Sequence, residues 1–137
     1  MNTTPAGYLE VDHTADCEIK AWAPDISTLF EQVALGMYSL AGASLHAEPR
    51  ISRQIELQDS DRESLLVGFL SELLYLCEIE RLGFDSFDIS IEKSSLQAKL
   101  HGGPLKALSK EIKAVTYHNL EIEAVPGGYK VSIVFDV

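Results

Sequence analysis

A chain of 137 residues, 46% hydrophobic and 23% charged, has the size and balance of one folded domain burying roughly two-thirds of its unfolded surface. No run approaches the ~20 consecutive apolar residues of a membrane-spanning helix. Eleven basic residues against twenty-one acidic ones, a net charge of −10 with no basic run, argue against nucleic acid as the direct partner and favour a cation or a basic protein surface.

Residues 1–5 have neither the basic stretch nor the apolar core of a signal peptide. They read as a short disordered tail, and a cytoplasmic location is the expectation. Residues 7–23 read as extended. Leu9 and Val11 alternate with Glu10 and Asp12, and Ile19, Ala21 and Ala23 alternate with Glu18, Lys20 and Trp22. The polar stretch Asp12-His13-Thr14-Ala15-Asp16 interrupts them. Asp25 is placed to cap a helix whose inner face is Ile26, Leu29, Phe30, Val33, Met37 and Leu40, ending near Gly42. Ile51, Ile55 and Leu57 mark a half-buried strand. Ser60-Asp61-Arg62-Glu63 has capping-box form and opens a second helix with Leu66, Phe69, Leu70, Leu73, Leu74 and Cys77 inward and Gly83 beyond its end.

The remainder reads as β. Phe87, Ile89 and Ile91 lie in one phase, Lys93-Ser94-Ser95 turns the chain, and Leu96, Ala98 and Leu100 return. Gly102-Gly103-Pro104 is expected to break that strand. One long strand is then expected over residues 111–124, with Ile112, Ala114, Leu120 and Ile122 in phase. Pro126-Gly127-Gly128 turns into a last strand carrying Val131, Ile133, Phe135 and Val137. The predicted order is β-α-β-α-β-β-β-β. Alternating patterns indicate a largely antiparallel sheet with both helices on one face, a two-layer α+β domain.

Chemistry is confined to a few places. Asp12, His13 and Asp16 crowd one strand break, either as oxygen-rich ligands for a hard cation or as a polar turn whose carboxylates cap backbone N–H groups. Val137 shares the inward phase of Phe135, which would fix an α-carboxylate beside Asp136. A cation held by Asp16, Asp136 and Val137 would relieve the repulsion; alternatively Asp136 faces water, where screening makes it cheap. Lys113 falls in an outward phase, suited to a solvated lysine, an edge-blocking one or a partner contact. Cys77 reads as a buried small hydrophobe, while Cys17 lacks companions for a metal set. His13, His46, His101 and His118 show no ligand spacing with one another, and the glycine pairs read as turns rather than phosphate-binding loops. Enzymatic machinery therefore has little support.

Several linked segments resemble the archease family. Residues 8–16, Tyr8-Leu9-Glu10-Val11-Asp12-His13-Thr14-Ala15-Asp16, look like its opening motif with core H-T-A-D. Ile19-Lys20-Ala21-Trp22 follows, then Thr28-Leu29-Phe30-Glu31-Gln32-Val33-Ala34, similar to T-L-x-E-x-x-A. Phe69-Leu70-Ser71-Glu72-Leu73-Leu74-Tyr75 resembles the L-x-E-x-L-Y segment. Glu111-Ile112-Lys113-Ala114-Val115-Thr116-Tyr117-His118 matches E-V-K-A-V-T-Y-H with one Ile for Val, and Phe135-Asp136-Val137 matches the hydrophobic-Asp-hydrophobic ending. Between Gly103-Pro104-Leu105 and Glu111 the chain is shorter than family members often are.

The resemblance implies a non-catalytic activator of an RtcB-type RNA ligase acting in tRNA splicing and RNA repair. That ligase uses GTP and divalent metal and carries a covalent histidine–guanylate; the activator promotes this guanylylation and multiple turnover. It implies a divalent cation, calcium before magnesium or manganese, on Asp16, Asp136 and Val137. Asp12 and His13 are implied as supporting residues, and Lys113 as a residue for activation. No direct contact with nucleic acid or membrane is expected. A chaperone, or a modulator of a tRNA-modifying enzyme, is the alternative.

Overall fold

The computed structural model describes residues 5–12 and 17–137, with Asp12 described for its backbone alone. In chain order the elements are β1 (Gly7–Asp12), β2 (Cys17–Ala23), α1 (Ile26–Leu40), β3 (Ser44–Leu45), β4 (Ile51–Gln58), α2 (Arg62–Ile79), β5 (Leu82–Glu92), β6 (Ser95–Ala107), β7 (Ala114–Val115), β8 (Glu121–Val125) and β9 (Gly128–Asp136). The α+β class is as read from the sequence. The strands divide into two antiparallel sheets rather than one. The first runs β1-β2-β9-β7, with β8 also paired to β9. In the second, β6 is central and pairs with β3, β4 and β5.

Apolar side chains from both sheets and both helices merge into one cluster. From β2 and β9 come Ile19, Ala21, Val131, Ile133 and Phe135; from α1, Leu29, Phe30 and Val33; from α2, Leu65, Leu66, Phe69, Leu70 and Leu73. Phe30 and Phe69 meet with ring centroids 6.1 Å apart, and Phe69 presents an edge to Phe87 at 6.2 Å, an arrangement aromatic quadrupoles favour. On β1 the helix-facing phase is Tyr8 and Glu10. Tyr8 packs on the core, the Ser39 hydroxyl of α1 donates to Glu10 at 3.0 Å, and Leu9 is exposed.

The helix termini follow sequence chemistry, with one difference. The Asp25 carboxylate accepts from the Thr28 N–H at 2.7 Å, as an N-cap should. After Ala41, Gly42 adopts φ 63°, a left-handed conformation suited to glycine. At α2 the cap is Asp61, whose carboxylate accepts from the Ser64 N–H at 2.7 Å, rather than a box closed by Ser60. That shift frees Glu63, which accepts from the Ile122 N–H of β8 at 2.8 Å. A residue read as local capping therefore ties the helix to a strand 59 positions away.

Two β expectations are corrected. Gly102-Gly103-Pro104 does not end a strand, because β6 runs through it to Ala107. Gly102 is needed for close approach: a Cβ there would strike the backbone of Gly83 and Phe84, where β5 is irregular between Phe84 and Ser86. Asp85 lies within this irregularity, and Arg50 donates to both its oxygens, at 3.0 and 2.7 Å. Gly83 belongs to this β5–β6 contact rather than marking the end of α2. The long strand over 111–124 is instead β7, a turn and β8. Register requires the break. Val115 faces Phe135 and Glu121 faces Ser132, so residues 116–120 stand opposite only Ile133 and Val134. The surplus turns outward through Asn119 at φ 51°, closed by the Leu120 N–H donating to the Tyr117 carbonyl at 3.1 Å.

Candidate functional site

The described candidates Lys113, Asp136 and Val137 lie at the end of the first sheet where β9 finishes. Alternation along β9 buries Phe135 completely, exposes Asp136 and leaves Val137 half-buried against the core. Phe135 pairs with Cys17 on one side and Val115 on the other, and Asp136 pairs with Ala114. The Lys113 N–H donates to the Asp136 carbonyl at 2.7 Å. The backbone of Asp136 is thereby held by hydrogen bonding while its carboxylate stays in water. Lys113 is exposed and lies just before β7, not within a long strand.

On the far side, β1 ends at Asp12 opposite Cys17, where β2 begins. Asp12 and Cys17 thus lie at the same end of the sheet as Asp136. His13 and Asp16, expected in the candidate site, and the Asp12 side chain lie outside the described residues. Among the described residues no three His, Cys, Asp or Glu side chains gather closely enough to hold a metal ion. Among the described candidates, Asp136 offers an exposed carboxylate on a fixed strand end, a donor type suited to a hard cation, and Val137 lies half-buried beside it. Sequence reasoning missed one neighbour. Lys110 places its Nζ 3.7 Å from the half-buried Cys17 Sγ, while the Ser109 and Lys110 N–H groups donate to Ala41 at 2.9 and 3.0 Å. Nothing in the spacing of two residues 93 positions apart signals this contact.

Behind the sheet end, Met37, Tyr38, Leu74, Cys77, Glu78 and Glu111 help line a cavity of about 290 Å³. Burial pushes the Cys77 thiol up, with Arg81 opposing and Glu78 adding to the shift. Burial likewise pushes the Tyr38 phenol well above its ordinary value. Both groups remain neutral at physiological pH, so neither supplies an activated nucleophile or base. The Tyr38 hydroxyl is buried beside the Phe84 backbone without a well-formed hydrogen bond among the described residues. The remaining histidines are apart: His101 Nδ1 lies 3.0 Å from the Ser52 hydroxyl, and His118 Nε2 lies 3.3 Å from the Asn119 amide.

Residues 8–137 match the model of the Archease protein family (MTH1598/TM1083). The chain belongs to the archease family. It is 37% identical over 125 residues to protein archease of Thermococcus gammatolerans, covering 85% of this chain and 88% of that one. To the Methanosarcina barkeri protein archease it is 36% identical over an alignment of 149 positions spanning both chains completely. The solution structure of Methanobacterium thermoautotrophicum protein 1598 superposes with a TM-score of 0.67 at 28% identity, covering 96% of this chain and 99% of the other. The crystal structure of an archease from Thermotoga maritima, described as a possible chaperone, superposes with a TM-score of 0.70 at 20% identity, covering 100% and 98%. Archeases therefore share this fold of two helices and antiparallel sheets. Among the described residues, no helix is long and apolar enough to cross a membrane.

Proposed function

We propose that this archease activates an RtcB-type RNA ligase, without chemistry of its own, by presenting the acidic end of its first sheet to the ligase's nucleotide site. The observation that carries the reading is the Asp136 arrangement. An exposed carboxylate follows a fully buried phenylalanine, and its backbone is fastened by the Lys113 N–H. A mobile strand end would lose backbone entropy on engaging a cation or basic surface; one held in the ladder has already lost it on folding. Asp16, Asp136 and Val137 would hold a divalent cation, calcium before magnesium or manganese. The bound ion would neutralise the gathered negative charge and carry a positive field to the partner. Lys113 contributes both the N–H that sets Asp136 and an exposed cation at the same edge. Asp12 and His13 are assigned as supporting residues of the link. The ligase then takes up guanylate from GTP on its own histidine, promoted by docking of this end, in the service of tRNA splicing and RNA repair.

A chaperone needs a broad apolar patch. Among the described residues the large exposed hydrophobics are Leu9, Tyr75, Ile79, Leu108 and Tyr117. They are spread over separate parts of the chain, and only Tyr75 and Ile79 lie one turn apart on a helix. The deciding experiment is covalent guanylylation of an RtcB-type ligase with GTP and divalent metal, with and without this protein. A rise in rate or extent is expected; no rise with both proteins folded would remove the reading in favour of the chaperone or of a modulator of tRNA modification.

A further inference from the structure

The same end of the molecule carries a second feature. Among the described residues β7 has a single strand neighbour, β9, in the order of its sheet. The Thr116 N–H donates to Val134 at 3.0 Å, one step past the Val115–Phe135 pair. In an antiparallel ladder that makes Val115 the non-hydrogen-bonded position, so its own N–H and C=O point away from β9. Beside this open edge runs a shallow groove of about 480 Å³, with Tyr75, Glu78 and Ile79 of α2 on one wall and Lys113, Ala114 and Val115 on the other. Tyr75 and Ile79, four residues apart on one helix face, are 50% and 63% exposed.

Charge gives the groove a direction. α2 carries Glu72 and Glu78 toward its C-terminal end and no basic residue in its last turn. There the helix dipole adds partial negative charge. Lys113, exposed at the opposite wall, adds a positive charge there. A ligand lying in the groove is therefore favoured with its cationic residue near Glu78.

We propose that this groove takes an extended segment of the ligase that adds to the β7 edge at Val115, seats an apolar side chain on Tyr75 and Ile79, and sets a Lys or Arg near Glu78. The inference rests on the ligase reading above and supplies the surface that orients the acidic end. Strand addition draws affinity from main-chain bonds and specificity from side-chain pockets. A strand of two residues offers too little edge to pair indiscriminately, so the helix-borne anchors select the segment. Because Ala114 pairs with Asp136, a segment on β7 lies one strand away from the end of β9, and both contacts can form together.

The test uses the full chain and the purified ligase. Affinity is measured by calorimetry for the wild type and for Tyr75→Ala, Ile79→Glu and Glu78→Lys. Hydrogen exchange at the Val115 amide is followed with and without ligase. All three substitutions are at exposed positions, and their unfolding transitions should match the wild type. Kd is expected to weaken at least about tenfold in each, as for truncated or charge-reversed anchors, and the Val115 amide should exchange more slowly in the complex. If the wild type binds while the variants bind equally well, or the Val115 amide stays unprotected, the groove proposal falls and the ligase reading stands. If the wild type does not bind the ligase at all, both fall.

Discussion

Replacing Asp136 with alanine separates what its backbone does from what its carboxylate does. The structural role of the position is the carbonyl, which accepts from Lys113 at 2.7 Å and survives the substitution. The carboxylate is exposed, and no described residue pairs with it in an ion pair or hydrogen bond. Its loss should change folding stability by no more than about 0.5 kcal/mol, the usual range for exposed positions without special contacts. The adjacent Phe135, fully buried, gives the contrast: Phe135→Ala should cost about 3–5 kcal/mol, a large share of a typical 5–15 kcal/mol stability. Urea denaturation measures both. In the guanylylation assay Asp136→Ala should lower activation at least about tenfold, the lower end for disturbing a metal site, and Asp136→Asn should behave alike because shape is kept and charge is not. An Asp136→Ala protein that is as stable as the wild type and activates fully would refute the role of the acidic end. One destabilised by more than about 1 kcal/mol would contradict a solvated carboxylate.

Three further outcomes follow from particular contacts. Gly102→Ala should destabilise by about 3 kcal/mol or more, at or beyond the upper end for overpacking, because the new Cβ meets backbone atoms of β5 rather than a movable side chain; thermal unfolding measures it. The Asp85 carboxyl should titrate below the ordinary aspartate value of about 3.9, since hydrogen bonds from the Arg50 guanidinium hold it down. A depressed folded pKa means the pair's small surface contribution is complete above the unfolded value and fades as pH falls through the folded one. Carboxyl NMR should show the Asp85 midpoint move up in Arg50→Ala. In native protein an alkylating reagent should modify the half-buried Cys17 first and Cys77 only after unfolding, because burial raises the Cys77 thiol and shields it; intact mass counts the adducts.

The sequence was readable where local chemistry decides structure. Asp25 caps α1, Gly42 takes the left-handed position after it, and Lys93 turns the chain at φ 50°. Each outcome depends on a few neighbouring residues. Local sequence misleads where a distant segment decides. Gly102 and Pro104 look like a strand break by composition, yet glycine is required because β5 comes within contact of β6 there. Residues 111–124 have strand periodicity throughout, and only the register of β9 forces the turn at Asn119. Glu63 sits in a capping-box position, but an aspartate one residue after Ser60 takes the cap and leaves the glutamate to bond with β8. A short run of sequence does not contain any of these partners.

The candidate site divides along the same line. The placement of Asp136 and Val137 is legible because strand alternation on β9 sets one outward and one inward. The convergence of Lys113, Cys17 and Asp136 comes from two ladders on either side of Phe135, which no spacing announces. The groove beside β7 is less visible still. Tyr75 and Ile79 lie on a helix whose apolar residues extend well beyond one face, so nothing in the pattern sets two exposed anchors apart from the core residues around them. They become distinct once β7 is cut to two residues and leaves the Val115 N–H and C=O pointing away from β9 while its side chain packs on the core. The same surplus of residues 116–120 that shortens β7 therefore opens the edge on which an added strand would lie, and it does so next to Asp136. A deletion that shortened 116–120 to two residues, matching Ile133 and Val134, should fuse β7 with β8 into one continuous edge. The fused edge should favour self-pairing over selective docking, because only a short edge suppresses it. Light scattering of the deletion protein should then show association, while a monomer with unchanged ligase affinity would mean that the length of β7 has no such role.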